Sequence, residues 1–459
     1  MKIWSIRIGY ETNSSSSHSF VLLLEPRKTD TDKAVMKYYG WGPELLTTPE
    51  EIAGYVLTQA LENDKEIFQT VLGDILYNEF LKEVKIEDAP EIDHASIWEL
   101  KGSKYSALPN FYRDFLKWLL KQEEIGIAVD NDNEPEYDTL PEPKGFPQIL
   151  YRRRVFVSEP GNYYLLLCKG WEGEVARYRV SFKDEPLKAE YPESIDVKIT
   201  EMCNNNCWYC FENVSPNGRH CSFEVFTKLI SEIGGKTLEI AIGGGNPLKH
   251  PQFMDMIRYA KEHGVIPNFT VNIRDWSEFM RNVPLEKLKL FEDLGIGLSW
   301  IGVGWHLDEI LALTQASNWI LNYTIHIINC VHGIEDIKRI LEVWYKHRKD
   351  KPKILVLGFK EPREKNFPRP LLKEPLKFED LQKHSGKAIF LFDNLAVEQL
   401  GVRDYVPPET WKLFYQGADG QYTMFVDLVN MQYAKNSYSA RRYKITTWGE
   451  MFERFRRWK

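Results

Sequence analysis

Cysteine is scarce in this chain, with six among 459 residues. So few cysteines exclude the disulfide framework of a small secreted protein, and we expect the thiols to be reduced. Long apolar runs are also lacking, since none approaches the ~18–20 residues that cross a bilayer, and the N-terminal segment has no apolar signal-peptide core. We therefore expect a cytoplasmic protein without a membrane partner.

An excess of positive charge is missing too. The net charge is −7 at pH 7, and the isoelectric point is near 5.9. Because neutralising phosphates requires a surplus of lysine and arginine, nucleic acid is not expected as the main partner, although it is not excluded as a substrate. Basic residues crowd the C-terminus and are interpreted as a solvated helix face and tail; they are Arg441, Arg442, Arg454, Arg456, Arg457 and Lys459.

The length predicts about three domains. Residues 1–190, helical in pattern from about 43 to 121 and strand-like later, are interpreted as an N-terminal α+β accessory region. Residues 191–395 alternate strand and helix patterns, which predicts a parallel sheet that is closed, partly closed or open. Residues 396–459 are assigned to a small C-terminal extension. In such sheets, functional groups collect at the carboxyl ends of the strands.

Half of the cysteines lie in one short segment, CNNNCWYC, directly after a predicted strand: Cys203, Cys207 and Cys210. Thiolates at this spacing suit zinc or an iron–sulfur cluster. A structural zinc site needs a fourth ligand, for which His220 or Cys221 is near enough, but it usually has a second cysteine pair, which is absent here. A cluster with three protein ligands instead keeps one metal position open for a reactant.

The C-x3-C-x2-C spacing, with an aromatic residue before the last cysteine, resembles the signature of the radical S-adenosylmethionine (radical SAM) superfamily. The resemblance implies a partial (β/α)6 TIM-like barrel, in which the three cysteines hold a 4Fe-4S cluster. It also implies that SAM binds the open iron and is cleaved reductively to methionine and a 5′-deoxyadenosyl radical. An electron donor such as a flavodoxin or ferredoxin would then be a partner.

A glycine-rich turn one β–α unit later supports the resemblance. Gly244, Gly245, Asn246 and Pro247 fall where the family usually has Gly-Gly-Glu-Pro, a motif whose backbone groups hold the methionine amine of SAM. Asn246 departs from that pattern, because its side-chain oxygen accepts a hydrogen bond but carries no charge. The alternative, a phosphate-binding glycine loop, lacks a nearby Gly-Lys-Ser/Thr.

The resemblance implies further SAM contacts that are weaker. Asn272 and Ser299, at the ends of two later strands, match positions that contact the SAM ribose or carboxylate, while Tyr209 and Leu357 would lie beside adenine; plain core packing is the alternative for each. Cys330 is a candidate hydrogen donor, or else an inert buried cysteine. Other residues just past strand ends are candidates to line the pocket: Asp275, Trp305, His306, His332, Glu361 and Asp393.

The sequence gives the least information about the substrate. The segment GADGQYTMFVDLVNMQYAKNSYS resembles the β-hairpin that begins the SPASM or twitch extensions of peptide-modifying members, although no cysteine follows Cys330 to hold an auxiliary cluster. This favours a peptide or protein substrate, with a nucleoside or tRNA base as the alternative. A non-catalytic, zinc-stabilised binding protein is the competing class. A hydrolase built on the segment ETNSSSSHSF lacks both nucleophile-elbow glycines and an acid partner.

Overall fold

The structure is a computed structural model that describes most of the chain and forms two compact units. The described residues are 2–6, 21–24, 33–39, 44–46, 48–77, 81–87, 89–92, 100–102, 107–120, 125–129, 154–169, 174–179, 186–212, 214–292, 294–316, 321–361, 371–408, 410–411 and 415–458. The units are Met1–Ala189 with Gly234–Leu238, and Glu190–Ile233 with Glu239–Lys459. The three-part division predicted from the sequence is finer and stays a prediction.

The first unit combines helices with three small sheets. Its strands are β1 (Lys2–Ile6), β2 (Val21–Leu24), β3 (Lys33–Met36), β4 (Glu44–Leu46), β5 (Glu83–Ile86), β6 (Leu100–Gly102), β7 (Ile125–Val129), β8 (Arg154–Ser158), β9 (Tyr164–Lys169) and β10 (Glu174–Arg179). Its helices are α1 (Pro49–Asn63), α2 (Lys65–Tyr77) and α3 (Ala107–Leu120). The sheet orders are β1-β10-β9-β8-β6, β2-β7-β4 and β3-β5.

The helical pattern predicted for residues 43–121 holds for α1, α2 and α3, but β4, β5 and β6 interrupt it. These strands have three or four residues each, which is too short for a two-residue period to stand out. Helix α1 begins at a capping box, since Thr48 Oγ1 accepts from the Glu51 N–H and the Glu51 carboxylate accepts from the Thr48 N–H. The segment ETNSSSSHSF lies outside the described residues.

The second unit contains the alternating strands and helices. Its strands are β11 (Ser194–Thr200), β12 (Glu239–Gly244), β13 (Ile266–Asn272), β14 (Gly295–Ser299), β15 (Asn322–Ile328), β16 (Lys353–Leu357), β17 (Ile389–Phe392), β18 (Thr423–Asp427), β19 (Gln432–Ala434) and β20 (Tyr443–Lys444). Its helices are α4 (Phe223–Ile233), α5 (Phe253–Glu262), α6 (Ile273–Asn282), α7 (Leu285–Leu288), α8 (Trp305–Ala316), α9 (Ile334–His347), α10 (Phe378–Gln382), α11 (Asn394–Gln399), α12 (Val402–Tyr405) and α13 (Trp448–Arg457).

These strands form one sheet in the order β17-β16-β15-β14-β13-β12-β11-β18-β19-β20. Strands β11 to β17 are parallel, and β18 adds to the free side of β11 as a further parallel strand before the antiparallel β19 and β20. The two ends of the sheet are not paired with each other in the described part of the chain. The predicted α/β class and the partial, unclosed TIM-like barrel are confirmed.

Side chains of the barrel strands alternate between two faces. On β11, Ile195, Val197 and Ile199 are at most 1% exposed, and the same spacing recurs on β12 to β16. The other face of β11 carries polar residues, among them Asp196 and Lys198. Burying each aliphatic side chain contributes about 1.5–3 kcal/mol, so the apolar face stabilises the fold while the polar face stays available for a site.

The helices of the described segments are all too short or too polar to cross a membrane.

Candidate active site

A cavity of about 470 Å³ lies at the carboxyl ends of the parallel strands. It is within the usual range for small-molecule sites. The residues that line it follow β11, β13, β14 and β15, or precede α10: Asn205, Cys207, Trp208, Tyr209, Asn272, Arg274, Ile301, Gly302, Val331, His332, Asp336, Leu371 and Lys373. Of the predicted site residues, the lining therefore includes Cys207, Tyr209 and Asn272, together with His332.

The cysteine loop follows β11 and is anchored by backbone hydrogen bonds. The Cys203 N–H donates to Ser215 O (2.9 Å), and the Cys210 N–H donates to Cys207 O (3.1 Å). Asn206 has a φ of 48°, a left-handed conformation that asparagine tolerates better than most residues. Cys203, Cys207 and Cys210 are half-buried, and none of the three is joined in a disulfide. The loop thus carries three cysteines, of which Cys207 lines the cavity.

The chemistry of these donors suits an iron–sulfur cluster, since thiolates are the ligands that such clusters use. Within the described ranges, no group of three or more His, Cys, Asp or Glu side chains is arranged to hold a metal ion. The Cys210 Sγ instead lies 3.7 Å from Glu212 O. Cys221 is buried, its Sγ 4.0 Å from His250 Nε2, and burial raises its pKa to about 12. Its thiol is therefore protonated at pH 7 in the absence of a metal.

The glycine turn at the end of β12 lies directly against the cysteine loop. The Gly245 N–H donates to Thr200 O and the Asn246 N–H donates to Met202 O, both at 2.7 Å. A Cβ on Gly245 would come 2.3 Å from Met202 O, and one on Gly244, whose φ is +108°, would come 2.4 Å from Thr200 O. Glycine is required here because two backbones approach closely. These two amides are engaged within the protein, so the SAM contact predicted for the turn stays a prediction that rests on its other groups.

One carboxylate joins the glycine turn to the cysteine loop. Asp275 Oδ2 accepts hydrogen bonds from Asn246 Nδ2 (2.8 Å) and from Asn205 Nδ2 (2.6 Å). Asn246 Oδ1 accepts from the Leu248 N–H (3.0 Å) and caps the 3-10 turn Pro247–Lys249. Arg274 Nη2 donates to Asn205 Oδ1. Asn246 thus acts here as a donor to Asp275 and as a backbone cap.

The far wall of the cavity is held by Asp336. Its carboxylate accepts from Trp300 Nε1 (3.0 Å) and pairs with Lys373 Nζ (2.8 Å). Burial lowers the pKa of the nearby His332 to about 4, so the ring is neutral at pH 7. His332 Nδ1 accepts from the Ile328 N–H (2.8 Å), and its ring lies 6.0 Å from that of Tyr209. Burial, with Cys207 adding to it, raises the pKa of Tyr209 well above its usual range, so the phenol is also neutral.

Apart from Asn272, which lines the cavity, the other predicted residues at the strand ends lie outside the cavity lining. Asn272 closes β13 and its Oδ1 caps α6 by accepting from the Arg274 N–H (3.0 Å). Ser299 and Leu357 end β14 and β16, and Leu357 O accepts from the Asn329 N–H (2.8 Å). Cys330 has a φ of 62° in the turn after β15, and burial raises the pKa of its thiol. Its role as a hydrogen donor stays a prediction.

The remaining residues that the sequence predicts for the pocket do not lie together in the structure. Trp305 is 57% exposed and His306 is 2% exposed, while Asp393 caps α11. Glu361 lines a second cavity of about 300 Å³ with Lys360. Sequence reasoning missed Asn205, Arg274, Asp336 and Lys373 as lining residues of the main cavity. Arg274 lies two residues past the end of β13, and Asn205 lies inside the cysteine loop, so the sequence positions of these two carry a signal. Asp336 and Lys373 lie farther from any strand end.

Residues 197–364 match the family model described as the radical SAM superfamily. The chain carries a radical SAM domain. The match begins within β11 and ends after β16, and it therefore includes the cysteine loop, the glycine turn and most strands of the barrel. It identifies this part of the chain as a radical SAM domain and specifies no substrate. No curated protein matches the sequence.

Solved structures of radical SAM proteins resemble the chain only distantly. Streptococcus suis SuiB bound to S-adenosylmethionine is 13% identical with a TM-score of 0.41, and the match covers 58% of this chain and 64% of SuiB, less than two thirds of its length. Native anSMEcpe with AdoMet and the Cp18Cys peptide is 11% identical with a TM-score of 0.40, covering 58% and 80%. BtrN with AdoMet and 2-DOIA is 13% identical with a TM-score of 0.24, covering 60% and 87%. TM-scores this low support no argument about the chemistry of this chain, for which the radical SAM domain is the basis.

Proposed function

We propose that the protein binds a 4Fe-4S cluster through Cys203, Cys207 and Cys210 and cleaves SAM reductively to abstract hydrogen from a substrate. The observation that carries this proposal is the position of three cysteines on the loop after the first strand of a radical SAM domain, where Cys207 lines a cavity of about 470 Å³. The cluster, when bound, supplies the electron that cleaves SAM. The three cysteines lie within eight residues of one loop.

The lining of the cavity suits a zwitterionic ligand with an aromatic base, as SAM is. Arg274 provides a guanidinium at the rim, where it is half-exposed. Trp208 and the neutral Tyr209 offer ring faces, and the Asp275 carboxylate, 15% exposed, lies behind Asn205 and Asn246. These groups orient a bound molecule; none of them is required to transfer a proton.

Anaerobic reconstitution with iron and sulfide tests the proposal. We expect about four irons per chain and release of 5′-deoxyadenosine from SAM on reduction. Replacing Cys203, Cys207 or Cys210 with alanine should abolish iron binding, whereas Cys221→Ala should keep it. Bound zinc without iron, or intact SAM after reduction, would contradict the proposal. Loss of metal in Cys221→Ala would favour a four-ligand zinc site instead.

For the substrate, we propose a peptide or protein, because the C-terminal segment resembles the hairpin that begins the extensions of peptide-modifying members. A nucleoside or tRNA base is the second candidate. The reconstituted enzyme should release 5′-deoxyadenosine faster with a pool of unmodified peptides than with tRNA, and the opposite order would favour the nucleoside. We also propose a flavodoxin or ferredoxin as electron donor and a cytoplasmic location, which cell fractionation tests.

A further inference from the structure

A buried lysine joins both ends of the cysteine loop. Lys198, on β11, is 4% exposed. Its Nζ lies 3.4 Å from Glu201 Oε1 and 3.0 Å from Glu212 Oε2. Glu201 comes two residues before Cys203, and Glu212 comes two residues after Cys210. A single ammonium group therefore contacts the chain on either side of the three thiols.

The third carboxylate on this ammonium comes from the C-terminal segment. Asp427, the last residue of β18, lies opposite Lys198 in the parallel pairing with β11, and its Oδ2 is 3.5 Å from Lys198 Nζ. Its Oδ1 accepts from the N–H groups of Val429 (3.0 Å) and Asn430 (2.9 Å), which fixes the turn that follows. The turn is thereby held in one conformation next to the loop.

Asn430, in that turn, contacts the loop directly. Its Nδ2 donates to Glu201 Oε1 (2.7 Å) and to Asp427 Oδ2 (2.9 Å). Its Oδ1 accepts from Arg219 Nη2 (2.6 Å). All the polar groups of this side chain are engaged, and its partner Glu201 is 229 residues away in sequence.

The charged side chains around Lys198 depend on one another for charge compensation. The cations Lys198 and Arg219 face three carboxylates, of which Glu212 and Asp427 are 10% or less exposed. Burial would lower the pKa of Lys198, but the carboxylates of Glu212, Asp427 and Glu201 outweigh burial and raise it, so the lysine is charged. Removing one partner of a buried charge is costly, because the remaining charge has lost its compensation.

We propose that Asp427 and Asn430 are positioning residues for the iron–sulfur site, which hold Glu201, Lys198 and Glu212 so that the cysteine loop presents its thiols to one cluster. The proposal rests on the proposed function. Residues 203–210 form no regular helix or strand, so the path of the loop depends on where its ends are fixed. The C-terminal segment thus supplies part of the support for a metal site that contains none of its own residues.

The test compares two asparagines that each join separate chain segments. Asn430→Ala removes the contact with Glu201. Asn268→Ala is the matched control, because Asn268 Nδ2 donates to Glu239 Oε2 (2.6 Å) and its Oδ1 accepts from the Gly295 N–H (2.7 Å), away from the loop. The reconstituted full-length proteins are mixed with a ferrous chelator, and iron release is followed, with melting temperature as the measure of overall stability.

We expect Asn430→Ala to release iron about 10–100-fold faster than wild type, as is typical when a residue supporting metal ligands is lost. Asn268→Ala should release iron like wild type despite a similar fall in melting temperature. Asp427→Asn, which keeps the shape and removes the charge, should also release iron faster and serves if Asn430→Ala does not fold. Wild-type release rates in both C-terminal variants would overturn the positioning role alone. Failure of the wild type to take up iron would overturn the proposed function, and the positioning role with it.

Discussion

Replacing Asp275 with alanine should loosen the cysteine loop and the glycine turn together. The Asp275 carboxylate accepts from Asn205 Nδ2 at 2.6 Å and from Asn246 Nδ2 at 2.8 Å, and its side chain is 15% exposed. A hydrogen bond to a charged group contributes about 1.5–3 kcal/mol. Two such bonds contribute about 3 kcal/mol at the lower end, and because water can reach the half-buried Asn205 after the change, we expect a net loss of about 2 kcal/mol in local stability.

Hydrogen exchange measures this loss at the loop itself. A local cost of about 2 kcal/mol corresponds to a roughly 30-fold increase in the opening equilibrium. Peptides that contain Cys203, Gly245 and Asn246 should therefore exchange faster in Asp275→Ala, because the amides of these residues donate to Ser215 O, Thr200 O and Met202 O. Asp275→Asn, which keeps an acceptor oxygen without the charge, should show a smaller increase.

The control is Asp380→Ala, which removes an exposed carboxylate that pairs with Lys383 at 2.8 Å. It should leave exchange in the loop unchanged, since exposed ion pairs contribute little. Unchanged loop exchange in Asp275→Ala would refute the bridging role. An equal increase over the whole chain would show that the residue supports the fold in general.

Three further predictions concern the same region. Gly245→Ala should lower the melting temperature and cost about 2 kcal/mol or more, because its Cβ would lie 2.3 Å from Met202 O. Gly243→Ala is the control and should melt near wild type, because its Cβ meets nothing within 4 Å; equal melting of the two variants would contradict this. The pKa of His332 is about 4 in the folded protein and about 6.5 in the unfolded chain. The neutral ring therefore contributes to stability above about pH 6.5, and this contribution is lost as the pH falls from about 6.5 to 4. His332→Gln should therefore show a smaller fall in melting temperature between about pH 7 and pH 4.5, and an unchanged fall would argue against the shift. Around Asp336, Trp300→Phe should cost about 2 kcal/mol in urea unfolding followed by circular dichroism, and Lys373→Gln under about 1, because the tryptophan is fully buried and the lysine 54% exposed. The reverse order would refute this.

Much of the barrel could be predicted from sequence because its signals are local. Segments such as SIDVKIT alternate apolar and other residues, and each helical pattern follows a strand, so the order of β11 to β17 follows from reading along the chain. The position of the site at the carboxyl ends of the strands follows from the topology alone. The cysteine loop can be recognised in the same way, since its three cysteines lie within eight residues.

What the sequence did not reveal depends on contacts between distant segments. Nothing local indicates that β18 pairs with β11, or that Asp427 faces Lys198, because a parallel pair between distant strands carries no turn signal. The sequence motif predicts that the Asn246 side chain accepts a hydrogen bond from a ligand. In the structure, its Nδ2 instead donates to Asp275 Oδ2. That interaction joins two strand ends whose side chains can be related only after the fold is known.

The glycine turn and the cysteine loop are best understood as one structural element, and this changes what restoring the family pattern should do. By resemblance alone, Asn246→Glu should strengthen SAM binding, since it supplies the usual carboxylate. In this structure the change removes the Asn246 Nδ2 donor and places a second carboxylate beside that of Asp275, which already lies 2.8 Å away. Like charges at such a distance repel strongly where solvent is limited. We therefore expect Asn246→Glu to bind SAM no more tightly than wild type in equilibrium dialysis. The double variant Asn246→Glu with Asp275→Asn restores a donor amide opposite the new carboxylate. We expect it to bind SAM more tightly than Asn246→Glu alone. Tighter binding by the single variant would show that the turn acts on the ligand independently of Asp275.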